Sequence, residues 1–152
     1  MATMMGGMGR SFDGAYAEYT VVPVSQVIPF ETSLPWDVVG ALPEMFQTAY
    51  GSLSKGLDLR PGQTLLIRGG TSTVGLSAAT IAKEMGAVVI ATTRRPGRLE
   101  MLRGVGVDHP MVDDGKIADS VRALFPEGVD AARHSAGDAR ARHGLLHRRP
   151  VG

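Results

Sequence analysis

The sequence lacks cysteine, and aromatic residues make up only 5% of its 152 residues. Without thiols the chain can form no disulfide and offers no thiolate to a metal, which is typical of a reducing compartment, so we expect a cytoplasmic protein. No apolar run reaches the roughly 18 residues of a membrane helix. Glycines interrupt the methionine-rich residues 1–10, which therefore do not resemble a secretory signal. We expect no membrane association.

Charge is distributed unevenly along the chain. The net charge is +1, yet residues 133–152 hold five arginines, three of the four histidines and one acid, Asp138. A basic tail of this kind is typical of solvated, disordered sequence. Clustered cations also attract nucleic-acid phosphates, but no aromatic residue interleaves with these arginines, so we expect no nucleic-acid partner.

The central part of the chain alternates buried-strand and helix patterns. Short apolar runs predict strands, and longer stretches with apolar residues at helical spacing predict helices. The predicted strands are 64–68, 88–91 and 109–112, and the predicted helices are 74–85, 96–103 and 117–125. This order indicates an α/β fold, a partial doubly wound parallel sheet with right-handed crossovers.

The segments on either side are less regular. Residues 15–28 are rich in Tyr, Thr and Val and carry Pro23, which predicts one or two short strands, or a strand followed by an extended bend. Residues 33–57 predict two helical pieces separated at Pro43. A fourth strand begins at Val129, but arginines and histidines follow from Arg133, and a strand buried on both faces cannot hold such charges. We therefore expect the sheet to stop at Ala132.

A glycine-rich segment connects the first predicted strand to the first predicted helix. It is Gly69-Gly70-Thr71-Ser72-Thr73-Val74-Gly75. Glycines at this place allow a tight turn and a close approach of the backbone to a pyrophosphate, and the helix N-terminus attracts anions. The strict dinucleotide pattern has glycine where this chain has Ser72, whose hydroxyl could donate to a phosphate oxygen. The alternative is an ordinary strand-to-helix turn.

The end of the second predicted strand carries a basic turn. An NAD-binding protein places an acid there to bind the ribose hydroxyls, whereas this chain has Thr93, Arg94 and, four residues later, Arg98. Guanidinium groups bind phosphate with planar, bidentate geometry, which favours the 2′-phosphate of NADP(H). The alternative is a solvated basic turn.

Four stretches carry a resemblance to a known family. They are GAYAEYTVVP, ALPEMFQTAYGSL, LRPGQTLLIRGGTSTVGLSAATIAKEMGAVVIATTRRPGRLEMLRGVGVDH and FPEGVDAA, between Gly14 and Ala132. The chain resembles the medium-chain dehydrogenase/reductase superfamily, in its zinc-independent quinone oxidoreductase and zinc-binding alcohol dehydrogenase-like branch. The resemblance implies a truncated NADPH-dependent oxidoreductase of a kind that transfers hydride to a small quinone, enone or carbonyl substrate, incomplete and inactive as this chain alone. Members of the family are usually homodimers.

The resemblance also divides the chain into parts. Residues 1–30 correspond to the C-terminal remnant of a GroES-like catalytic domain, 31–57 to a helical connection, 58–132 to a partial NAD(P)-binding Rossmann domain, and 133–152 to a basic tail. After Ala132 the family continues with an apolar strand, so the abrupt change in composition suggests a change of reading frame. Resequencing the locus tests that hypothesis.

Three residues of the segment 41–53 take their roles from the resemblance. Thr48 matches a threonine near the nicotinamide, and Tyr50 falls near the cleft; ordinary helix packing is the alternative for both. Glu44 lies where zinc-dependent relatives carry a metal ligand. A catalytic zinc site needs three protein ligands, and the partners of Glu44 would lie upstream, so we expect no metal. The competing function is a non-catalytic product that binds nucleotide weakly or associates with a partner.

Overall fold

A computed structural model describes residues 7–134 of the chain. The chain divides into two compact units, with the boundary between Gln47 and Thr48. The predicted tail from residue 135 onwards, with its reading-frame hypothesis and its nucleic-acid alternative, lies outside the described residues. None of the described helices has the length and the apolar character that crossing a membrane requires.

The first unit has little regular structure before its helix. Its described residues contain an isolated bridge between Met8 and Phe12 and a 3₁₀ turn, Val24–Gln26, but no β-strand. The strands predicted within residues 15–28 are therefore wrong. Strand-forming side chains there are exposed, with Tyr16 at 110% and Tyr19 at 90%. A β-pattern needs a neighbouring strand to bond its backbone groups, and within residues 15–28 a single bridge residue, Val27, is formed instead of a strand.

A single helix, α1 (Trp36–Gly51), runs through Pro43. The predicted break at Pro43 is wrong, because proline removes one backbone N–H and the remaining bonds of a 16-residue helix persist. The helical path changes at its end instead, where Ser52–Gly56 form a π-helical turn closed by a bond of 2.9 Å from the Leu57 N–H to the Ser52 carbonyl.

The second unit is an α/β domain with a four-stranded parallel sheet in the order β3-β2-β1-β4. The predicted fold class is thereby confirmed. Its strands are β1 (Thr64–Arg68), β2 (Val88–Thr93), β3 (His109–Val112) and β4 (Ala131–His134). The helices between them are α2 (Thr73–Glu84), α3 (Leu99–Gly104), which follows a 3₁₀ turn at Pro96–Arg98, and α4 (Ile117–Leu124).

Each face of the sheet has its own apolar cluster. Alternate strand residues point to opposite faces, so Leu65 and Ile67 pack with the alanines of α2, whereas Leu66 packs with Ile117 and Val121 of α4. The small side chains of α2 permit a close approach to the strands. Helices thus cover both faces, as the predicted doubly wound arrangement requires.

The fourth strand extends further than the sequence predicts. β4 pairs in parallel with β1 as far as His134, with Ile67 opposite Arg133 and Arg68 opposite His134. The expectation that the sheet stops at Ala132 is therefore wrong. Backbone pairing with β1 stabilises the strand, and no further described strand lies beyond β4, so the rule for a central strand does not apply to it.

Candidate functional site

The glycine-rich loop is fastened to the end of the neighbouring strand. The Gly69 N–H donates to Thr92 Oγ1 at 3.1 Å, and the Gly70 N–H donates to the Thr92 carbonyl at 2.8 Å. Gly69 has a φ of +78°, a left-handed conformation that glycine adopts without steric cost. These bonds hold the loop at the carboxyl edge of the sheet, between β1 and the head of α2.

Two glycines are required by packing. A Cβ at Gly70 would lie 2.8 Å from Ala91 Cβ, and a Cβ at Gly75 would lie 2.6 Å from the Gly69 carbonyl oxygen. Gly70 therefore lets the loop approach β2, and Gly75 lets α2 approach the loop. Both are roles that the dinucleotide pattern gives to its glycines.

Ser72 caps the helix. Its Oγ accepts a hydrogen bond of 3.1 Å from the Gly75 N–H and donates one of 3.0 Å to the Gly69 carbonyl. The hydroxyl thus donates within the loop here, and its donation to a phosphate oxygen stays a prediction. The N–H groups of Thr73 and Val74, in the first turn of α2, have no acceptor among the described residues and remain available to an anion.

The basic turn begins beside the glycine loop. The hydroxyl oxygens of Thr71 and Thr93 lie 3.5 Å apart, and the Arg95 N–H donates to Thr93 Oγ1 at 3.2 Å. Arg94 is exposed and Arg98 is half-buried. Within residues 7–134 neither guanidinium pairs with a carboxylate. The structure therefore places both predicted segments at one edge of the sheet, with cations that are not neutralised internally.

An ion pair across this edge was not predicted from the sequence. Arg68 Nε, at the end of β1, donates to Asp113 Oδ2 at 2.6 Å. Asp113 directly follows β3, and its N–H donates to the Thr93 carbonyl at 2.8 Å. The hydrogen bond from Arg68 holds the pKa of Asp113 below its usual value despite burial, and the nearby His134 lowers it further. The sequence did contain a signal for this contact: a basic residue ends β1, and an acidic residue directly follows β3.

A second ion pair joins α2 to the residue that precedes β3. Lys83 Nζ of α2 lies 2.8 Å from both carboxylate oxygens of Asp108, and Asp108 Oδ2 also accepts from the Val89 N–H at 2.7 Å. Burial opposes ionisation of this carboxyl, but the bonds from Lys83 and Val89 outweigh it, so the pKa of Asp108 is lowered. The pair connects α2 to the start of β3.

The three residues with roles taken from the resemblance lie on α1. Glu44 and Thr48 are exposed, and the side chain of Tyr50 is 57% exposed. The backbone carbonyls of two of them accept bonds from the following turn: Ser52 Oγ donates to the Thr48 carbonyl at 2.8 Å, and Ser54 Oγ donates to the Tyr50 carbonyl at 2.7 Å. No group of three metal-ligating side chains occurs within residues 7–134.

A parallel sheet with helices on both faces and a glycine loop leading into α2 defines a Rossmann-type α/β domain. Residues 73–150 match the zinc-binding dehydrogenase family. The chain therefore belongs to this family, within the medium-chain dehydrogenase/reductase superfamily of oxidoreductases, and the predicted relationship is confirmed. The matched residues include most of the basic tail.

Individual relatives agree with this assignment. The chain is 34% identical to the L-threonine 3-dehydrogenase of Streptomyces avermitilis over 143 residues, covering 92% of this chain and 41% of that protein. The crystal structure of AibC superposes with a TM-score of 0.76 at 33% identity, covering 83% of this chain and 36% of that chain. A mycobacterial protein complexed with NADPH superposes with a TM-score of 0.65 at 25% identity, covering 72% and 34%. The chain spans about two fifths of the length of the curated relatives it matches.

Proposed function

We propose that this chain is the nucleotide-binding part of an NADPH-dependent oxidoreductase. The glycine loop, residues 70–75, holds the pyrophosphate at the head of α2, and Thr93, Arg94 and Arg98 hold the 2′-phosphate of the adenosine half. The reaction is hydride transfer between the cofactor and a small quinone, enone, or aldehyde and its alcohol. The protein works in the cytoplasm and needs no metal.

One observation carries the proposal: the hydroxyls of Thr71 and Thr93 lie 3.5 Å apart. This contact sets the turn after β2 beside the loop that precedes α2. A dinucleotide that spans the two segments meets backbone N–H groups at one end and guanidinium groups at the other. No acid occupies the end of β2 itself, and the neighbouring carboxylate of Asp113 is paired with Arg68.

The residues present fit a nicotinamide dinucleotide. The free N–H groups of Thr73 and Val74 lie at the N-terminal end of α2, where an anion is stabilised. Gly70 and Gly75 add no side chain to the closely packed loop. When bound, the cofactor supplies the hydride, and the protein orients it and excludes water. Thr48 and Tyr50 are the candidates for contacts with the nicotinamide and the substrate.

Titration of the purified chain with NADPH and NADH tests the cofactor. We expect tighter binding of NADPH, with the preference reduced about tenfold or more in Arg94→Ala and Arg98→Ala, because each substitution removes a charge-assisted bond to phosphate. Arg103→Ala is the matched control, since this exposed arginine of α3 lies outside the proposed site. Equal affinity of the wild type for the two cofactors, or no binding of either, contradicts the proposal.

The open edge of the sheet favours a second candidate function. Among the described strands, β4 pairs only with β1, so no described strand borders its other side. Such an edge promotes association with another chain, and the protein would then be a non-catalytic binding partner with residual nucleotide affinity. Sedimentation of the purified chain decides between the two, because a sharp monomer boundary together with cooperative thermal unfolding is incompatible with obligatory association.

A further inference from the structure

Asp113 is an acid beside the start of the basic turn. It directly follows β3, and its N–H donates at 2.8 Å to the carbonyl of Thr93, in the peptide that leads to Arg94. The short covalent path from this N–H to the carboxylate keeps the carboxylate within about 8 Å of the Thr93 carbonyl oxygen. Two of the residues proposed to hold the 2′-phosphate therefore have a carboxylate as a close neighbour.

A carboxylate in this position opposes the binding of a phosphate. Like charges repel, and the side chain of Asp113 is only 9% exposed, so solvent and salt screen its charge poorly. An acid near the end of the second strand is also the group that favours a ribose hydroxyl over a 2′-phosphate. The basic turn at Arg94 therefore favours NADPH, whereas the charge of Asp113 taken alone favours NADH.

Arg68 neutralises this acid from the other side of β2. Because β2 lies between β1 and β3 in the sheet, the side chain of Arg68 reaches past the end of β2 to Asp113. Its Nε lies 2.6 Å from Asp113 Oδ2, and its Nη2 lies 3.4 Å from Oδ1. The hydrogen bond from Arg68 lowers the pKa of Asp113, so the carboxyl is ionised at neutral pH. The end of β2 thus borders an ion pair rather than an isolated carboxylate.

We propose that Arg68 determines cofactor specificity by masking the charge of Asp113, so that a 2′-phosphate can bind at the end of β2. The inference rests on the proposed function, because it concerns the same bound cofactor. Arg68 acts through Asp113 and need not touch the phosphate itself. A pair that only tied the strands together would have a different signature, since its loss would weaken NADPH and NADH alike.

Calorimetric titration with NADPH and NADH, at low salt and about pH 8, compares the wild-type full chain with three variants. Arg68→Met leaves the Asp113 carboxylate unmasked and should weaken NADPH about tenfold while changing NADH little. Asp113→Asn removes the negative charge and should strengthen NADPH relative to NADH. The double variant carries neither charge, so it should return the ratio of the two affinities close to the wild-type value.

Asp114→Asn is the matched control. This adjacent acid is exposed and forms no ion pair within residues 7–134, so its substitution removes the same charge from a solvated position. It should change the ratio of affinities less than Asp113→Asn does, because solvent screens an exposed charge. Far-UV circular dichroism and thermal unfolding of each variant identify a general loss of folding. Where Arg68→Met does not fold, Asp113→Asn decides, because an unchanged ratio there also overturns the proposal.

The remaining outcomes separate this inference from the proposed function. Equal weakening of both cofactors in Arg68→Met, or a double variant that keeps the loss of NADPH, overturns the masking role. If Arg94→Ala loses the preference for NADPH but Arg68→Met keeps it, the masking role fails and the cofactor assignment stands. If the wild type binds both cofactors equally, but Arg68→Met favours NADH and the double variant does not, the masking role stands and the proposed preference fails. No binding of either cofactor refutes both.

Discussion

The variant Gly75→Ala examines how closely α2 approaches the glycine loop. A Cβ at position 75 would lie 2.6 Å from the Gly69 carbonyl oxygen and 2.8 Å from that of Gly70, whereas Cβ atoms essentially never come within 3.0 Å of such atoms. Both oxygens belong to the backbone, so no flexible side chain can move aside. Helix and loop must therefore separate by at least about 0.4 Å, which disturbs the cap between Ser72 and residue 75.

Overpacking of this kind costs about 1–3 kcal/mol, and weakening the cap adds about 1 kcal/mol. Alanine recovers up to about 1 kcal/mol through its higher helix propensity. We therefore expect Gly75→Ala to be less stable by about 1–3 kcal/mol in urea unfolding followed by far-UV circular dichroism. Gly104→Ala is the control, because a Cβ in that helical position meets nothing within 4 Å. Equal stability of the two variants would refute the packing argument.

Two further predictions concern the cap and the ion pair at the same edge. Ser72→Ala should lower the free energy of unfolding by about 1 kcal/mol in urea titration, whereas Ser72→Asp, which can also cap, should retain most of it. Asp113→Asn should be less stable than the wild type at neutral pH, because the folded-state pKa of Asp113 is lowered and its ionisation stabilises the fold above the unfolded value of 3.8. That deficit should shrink as the pH falls below 3.8 in unfolding measurements across pH, whereas the exposed Asp119→Asn should show little change, and a pH-independent deficit would contradict the assignment.

The alternating elements were predictable because their signals are local. The apolar run of β1, the loop glycines and the small-residue stripe of α2 lie next to each other in the sequence, and each specifies its own conformation. The parallel sheet then follows from the order of the elements. His109–Val112 was also predicted as a strand. It tolerates Pro110 because, among the described strands, it pairs on one side only, with β2.

Elements that depend on distant partners were not predictable. The β-pattern of residues 15–28 carries no information on whether a neighbouring strand exists, and in the described structure none does. The ion pair between Arg68 and Asp113 joins residues 45 positions apart, so it becomes visible only when the strand order is known. The role of Ser72 is a similar case, because its residue type suits both a phosphate contact and a helix cap.

Arg133 shows where a sound rule led to a wrong boundary. The rule that a buried strand excludes charge concerns the side chain, whereas strand formation depends on backbone pairing, which β1 supplies to β4. The cost of burying polar atoms therefore remains, because two shielded nitrogens of Arg133 find no hydrogen-bond partner within residues 7–134.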